Sequence, residues 1–300
     1  MNFAMKRILI ISVITAISIA VNGQPQKEKF PELKGLYLGQ KTPGMTPEIF
    51  APGIVSVPDF TEYSGTFSAD GTEYYFYRFS KTLPPTIFFS KLTGGKWTAP
   101  EPASFSKGYP AFEPHLTFDN KNLYFAWAKP LPAGVTGDPN MPGIWVTTRT
   151  ANGWSDPAYA GQGMFVSSDR SGHIYITDMS TRNMNGKTTL AQVEMKDGRF
   201  TGFEKLSISP EFEEGPAHPY PAPDGSYMLF DVGGGNHMFV SFKKKDGSWG
   251  EAIDLADHGF DKMAGGATIS PDGKYLFFHL KGDIWWVDIK VIENLRPKID

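Results

Sequence analysis

The chain has 300 residues and a formal net charge of −3, which allows one large all-β domain or two smaller ones. Apolar residues make up 40% and charged residues 20%, which excludes wholesale disorder, and the near-neutral balance excludes the basic footprint of a nucleic-acid binder. There is no Cys, so neither a disulfide nor a Cys-linked lipid is open to it.

In chain order, Lys6 and Arg7 precede an apolar run from Ile8 to Val21 and a small polar exit, Asn22-Gly23-Gln24. That pattern predicts a secretory signal over 1–23 and a mature chain starting near Gln24. The run is short for a membrane span and no second one follows, so the expectation is an exported, soluble product, periplasmic or secreted. Cleavage removes Lys6 and Arg7 and no acid, leaving 27 basic against 32 acidic residues, or −5. Residues 24–44 read as an irregular lead-in.

Beyond them one unit returns five times. Its centre is a turn followed by an aromatic strand: Ser68-Ala69-Asp70-Gly71 before Tyr74-Tyr75-Phe76, then Thr117 to Asn120, Ser171-Gly172, Ala222 to Gly225 and Ser270-Pro271-Asp272-Gly273, each followed by its own strand. With Asp70, Asp119, Ser171, Asp224 and Asp272 as markers, the spacings are 49, 52, 53 and 48 residues. Asp-Gly suits a tight reversal between antiparallel strands, because Gly tolerates positive φ and Asp bonds the turn backbone. A third strand follows at Ile87, Ile144, Leu190, Met238 and Ile284, and Trp97, Trp154, Phe200 and Trp249 open a fourth in the first four units. The fifth unit has none, so residues Thr46 to Ile54 are expected to supply it and close the ring, which removes an exposed edge. The reading is an all-β, single propeller of five four-stranded blades over 45–290, followed by a tail at 291–300.

The Ser-Pro-Asp-Gly-Lys-Tyr-Leu-Phe-Phe stretch at 270–278 resembles the WD40-like Pro-Asp repeat of TolB-type propellers, with Asp70-Gly71, Asp119-Asn120 and Asp224-Gly225 as weaker copies. The resemblance covers nearly all of the mature chain and implies the fold. Such propellers include periplasmic scaffolds, peptidase-gating domains and carbohydrate-active enzymes, so it leaves function open. Unlike TolB itself, this chain has five units rather than six and no separate amino-terminal domain.

Side chains alternate along a strand, so the innermost strands turn every second residue to the channel. Positions three before each marker, Phe67, Leu116, Pro221 and Ile269, are apolar and belong between blades. Positions four and six before it are then luminal: Thr66 and Ser64, His115 and Glu113, Tyr220 and His218, Thr268 and Gly266. The climbing strands reach the top rim with Tyr77, Ala126, Asp178, Asp231 and His279, with Arg78 one further on, and His237 follows the loop Gly233-Gly234-Gly235 expected to overhang the same face. The sequence therefore predicts one solvent-accessible cavity at the top mouth holding His115, His218 and His279 with Glu113 and Asp231 in reach. The long insertion Pro130 to Pro142, flanked by Trp127 and Trp145, is a candidate lid.

Two readings follow. The first is a binding propeller that holds a glycan, peptide or small polar ligand at this mouth through Ser64, Thr66, Tyr77, Arg78, His115, Tyr220, His237, Thr268 and His279, with an envelope protein as a further candidate partner. The alternative is a carbohydrate-active hydrolase or lyase working with Glu113, His218 and Asp231 as acid and base. His115, His218 and His279 are also candidate ligands for a divalent metal, since neutral imidazole with carboxylate suits such ions. No linear catalytic motif decides among these.

Overall fold

The computed structural model describes residues 30–180, 187–234 and 236–298. The predicted signal at 1–23, and Gly235 of the overhanging loop, lie outside them. The propeller is built from the described residues beyond Pro31.

Each repeat folds into one antiparallel sheet. Blade 1 runs Thr61–Phe67, Glu73–Phe79 and Thr86–Thr93, with its outer edge in two short pieces, Lys96–Trp97 and Glu101–Pro102. Blade 2 follows with Ala111–Leu116, Asn122–Trp127 and Gly143–Thr150, edged by Gly153–Trp154 and Ala158–Gln162. Blade 3 comprises Met164–Ser168, Ile174–Asp178, Thr189–Lys196 and Arg199–Lys205. Blade 4 comprises Pro216–Pro221, Tyr227–Val232, Asn236–Phe242 and Ile253–Asp254. Blade 5 has Gly265–Ile269, Tyr275–Leu280 and Asp283–Asp288, and its fourth strand is Glu48–Ile49, paired through Glu48 with Trp286 and Ile49 with Trp285. The early segment closes the ring, as its spacing predicts.

The turn chemistry repeats with the blades. Asp70 accepts from the Thr72 backbone N–H at 3.1 Å, and Asp224 and Asp272 do the same for Ser226 and Lys274. Five apolar clusters fill the five seams, one between each pair of neighbouring blades. At the closing seam the Phe50 ring packs against Phe67, Tyr74, Phe277 and Trp286, at centroid distances of 5.1–6.0 Å. Arg78 reinforces it by donating to Glu62 Oε1 at 2.6 Å and to the carbonyls of Ile54 and Val55. The lead-in adds Tyr37 and Leu38 to the same cluster, and Trp97 Nε1 donates to Gly35 O at 2.7 Å.

Candidate functional site

One local device builds the site. In every blade the innermost strand carries a β-bulge: the register shifts by one residue between Tyr63 and Gly65, Phe112 and His115, Met164 and Ser167, Ala217 and Tyr220, and Gly265 and Thr268. The residues six before the markers, Ser64, Glu113, Phe165, His218 and Gly266, sit at these bulges with φ of 41°, 55°, 55°, 53° and 60°. Four of them bear side chains in a left-handed conformation that costs about 1–2 kcal/mol each.

A bulge also withdraws a backbone N–H from the ladder, and a buried N–H needs a partner. Here the partner is a side chain of the preceding blade. Phe165 N donates to Glu113 Oε2 at 2.9 Å, His218 N to Thr177 Oγ1 at 2.8 Å, and Gly266 N to Asp231 Oδ2 at 2.8 Å. Strain, bonding and the polar side chains of the lumen thus share one origin.

The centre of the site is His218. Its Nδ1 donates to Asp231 at 2.9 and 3.0 Å, and its Nε2 faces Glu113 Oε1 at 3.6 Å. All three are buried, at 5%, 0% and 5% exposure for His218, Asp231 and Glu113. Burial alone would lower the imidazole pKa, but the Asp231 and Glu113 carboxylates outweigh it and push it up to about 10. At neutral pH this is an imidazolium held between two carboxylates. Phe165 packs on its ring at 4.7 Å.

Tyr63 covers the array. Its hydroxyl lies 3.5 Å from His218 Nδ1, and its ring packs on His279 at 4.6 Å and on Tyr77 at 5.8 Å. It also lies over Gly266, where an added Cβ would come within 2.4 Å of the ring. Burial, then the charges of Asp231 and Glu113, keep the Tyr63 phenol neutral. His279 Nδ1 donates to Glu62 O at 2.9 Å, which leaves Nε2 as an acceptor, and burial lowers its pKa. Tyr63 escaped the sequence reading because its aromaticity resembles any blade residue. The available signal was its set of equivalents, Phe112, Met164, Ala217 and Gly265, which are small only in blades 4 and 5, where the tyrosine lies.

The structure thus brings together Glu113, His218, Asp231, Tyr77 and His279, the last two through Tyr63. It does not place the other predicted residues with them. The bulge inserts one residue between positions six and four before the marker, and the second set lies nearer the turn end of the channel, where the His115 and Tyr220 rings meet at 6.0 Å. The second set instead ties neighbouring inner strands: Thr66 Oγ1 accepts from Leu116 N, His115 Nε2 meets Ser168 Oγ at 2.7 Å, and Tyr220 donates to Ile269 O. Thr268 is buried on the blade 5 inner strand. Burial lowers the His115 pKa to about 3, so it stays neutral. Arg78 belongs to the closing seam, and His237 pairs with Asp254 at 2.8 Å on the outer half of blade 4.

Two expectations are corrected by this geometry. Where a wet cavity is predicted the side chains are packed: His218, Asp231 and Glu113 are at most 5% exposed, and at the turn end of the channel the void lined by Thr66, Leu116, Tyr220 and Ile269 is about 10 Å³, at most the room of a single water. The three predicted metal-binding histidines do not form a set, since His115, His218 and His279 each face different partners. Both nitrogens of His218 are turned to carboxylates, leaving it no lone pair for an ion. Among the described residues no group of three or more His, Cys, Asp or Glu is arranged to hold a metal ion.

No protein-family profile matches the sequence, and no curated protein matches it significantly. Among solved structures the chain is similar to TolB from Acinetobacter baumannii, with 14% identity over 75% of this chain and 53% of that one and a TM-score of 0.44. It is similar also to a gluconolactonase from Xanthomonas campestris, with 10% identity over 85% and 96% and a TM-score of 0.46. A GH43 protein from Bacillus licheniformis gives 14% over 75% and 50%, with a TM-score of 0.49. The chain spans about half the length of the Acinetobacter TolB.

Proposed function

We propose that this chain is an exported binding propeller, akin to the Pro-Asp repeat propellers, that takes a donor-rich ligand such as a glycan fragment or an amine-bearing peptide at the top mouth of its channel. The observation that carries the reading is the buried Glu113–His218–Asp231 array beneath Tyr63. One imidazolium between two carboxylates leaves a unit of negative charge under the mouth. The neutral His279, with Nε2 as an acceptor, adds a second feature that favours hydroxyl and ammonium donors over anions. Export rests on the pattern of residues 6–24, and an envelope partner would share the same face.

The same array argues against hydrolysis by these residues. An acid and base pair needs a sugar ring between its carboxylates, and here the His218 imidazole fills that space. An imidazole already protonated at neutral pH is also a poor general base.

The test is a thermal-shift survey of the mature protein with neutral oligosaccharides, amino sugars and short peptides. A ligand at a hundred times its Kd adds about 2.7 kcal/mol of stability, so a donor-rich binder should raise Tm by several degrees, and Tyr63→Ala or His279→Ala should remove the shift. A survey in which anions alone shift Tm, or nothing does, overturns the reading.

A further inference from the structure

The insertion after blade 2's second strand, residues 128–142, lines with Phe112 an open cleft of about 500 Å³. That size falls within the range of small-molecule sites. Phe112, Leu131, Val135, Met141 and four prolines make the lining apolar, and Lys129 is its one charged residue. The loop is held from below. Gln162, on the outer edge of blade 2, accepts from Asp138 N at 2.9 Å and donates to Asp138 O at 2.8 Å. The cleft is therefore formed in advance of any ligand.

Its one charged group, Lys129, has no acidic partner among the described residues. Lys129 Nζ lies 4.7 and 4.8 Å from the ring centroids of Trp127 and Trp145, and no carboxylate among the described residues pairs with it. The nearest acid along the loop, Asp138, accepts from Asn140 N instead. Trp127 Nε1 and Trp145 Nε1 are both buried with no hydrogen-bond partner, although the two rings are only 5% exposed. Trp145 Nε1 also lies beside the foot of the loop, 3.2 Å from where a Cβ on Gly143 would stand.

An ammonium with no carboxylate partner among the described residues, at the edge of an apolar, preformed cleft, is a recognition pattern for one chemistry. We propose that this cleft binds a small hydrophobic carboxylate, with the carboxylate on Lys129 and the apolar body under the loop. The site goes beyond the channel mouth, because its donor is Lys129 rather than the array around His218, and its ligand has the opposite charge preference.

The probe is octanoate, followed by intrinsic tryptophan fluorescence and calorimetry on the mature protein, with octan-1-ol as the neutral match. Saturable octanoate binding, at least tenfold tighter than octan-1-ol, is expected. Lys129→Met, whose half-buried side chain is no part of the core, should lose that tenfold preference while keeping the parent Tm. Gln162→Ala should weaken octanoate by loosening the loop. Absence of saturable binding, equal affinity for acid and alcohol, or an unchanged preference in Lys129→Met would each overturn the assignment.

Discussion

Replacing His218 by Gln removes the one positive charge from a site where Asp231 and Glu113 are 0% and 5% exposed. The two carboxylates then share a packed lumen with no cation, and breaking a buried pair in this way costs about 3–5 kcal/mol. At roughly 2–4 °C per kcal/mol for a domain of this size, Tm should fall by about 10 °C at pH 7. This reverses the expectation from sequence, in which a residue of a wet channel would be removed at little cost. The pH dependence is the sharper test. The imidazole pKa rises from 6.5 to about 10 on folding, so its stabilisation is complete below pH 6.5 and is lost as pH climbs towards 10. The full shift corresponds to about 5 kcal/mol, of which about 2 is gone by pH 8. Glu62, pushed up to about 7 by burial despite Arg78 beside it, adds a slope of the same sign between pH 4.5 and 7. The measurement is therefore the difference between parent and variant in thermal melts at pH 5, 7 and 9, which cancels Glu62. That difference should shrink from pH 7 to pH 9. Nitrogen NMR of the parent at pH 8 should show a doubly protonated His218 ring. A variant melting within 1 °C of the parent, or a neutral imidazole at pH 8, would refute the reasoning.

Gly266→Ala places a methyl at φ 60° and 2.4 Å from the Tyr63 ring, so it should cost about 2–4 kcal/mol and dislodge Tyr63 from the mouth; calorimetry reads the first and tyrosine solvent accessibility the second. Arg78→Met strips Glu62 of its cation and frees the carbonyls of Ile54 and Val55. With Glu62 already pushed up to about 7, its protonation limits the charge part of the penalty at pH 7, so the loss should be about 1–3 kcal/mol from the freed carbonyls, with the segment before Thr61 exposed to proteolysis. The penalty should grow as pH rises from 7 to 9, where the parent carboxylate is ionised and held by the guanidinium.

The fold was legible because a turn is a local event. Asp-Gly needs nothing beyond its neighbours to reverse the chain, and five such turns at blade spacing fix both strand count and the missing fourth strand of blade 5. The site was legible only in part. Glu113, His218 and Asp231 come together because position six before the marker and position seven after it face each other across the bulge, which a regular strand also suggests. His115, Tyr220 and Thr66 line the channel too, but at a different level from His218. That level was hidden because no residue type announces a left-handed bulge: Ser, Glu, Phe and His occupy it here, and only Gly266 carries the usual signal. Arg78 was placed at the rim from its register alone, whereas its partner Glu62 and the carbonyls it holds belong to a segment whose position depends on ring closure.

The repetition of the bulge, rather than the identity of any one residue in it, explains why the channel is full. A regular inner strand would leave its N–H groups paired and its alternate side chains around an open lumen. The bulges of blades 3, 4 and 5 each turn an N–H towards a side chain of the preceding blade, and those of blades 2 and 4 bring Glu113 and His218 into the array, so filling the axis and locking these blades are the same event. Glu113 receives the N–H of blade 3, Thr177 that of blade 4 and Asp231 that of blade 5. Two of these three acceptors are the carboxylates that hold the His218 imidazolium. The charge at the mouth is therefore bound up with the inter-blade bonds, and a ligand that drew Glu113 or Asp231 away from its place would loosen the seam between blades 2 and 3 or that between blades 4 and 5 as well as the site itself.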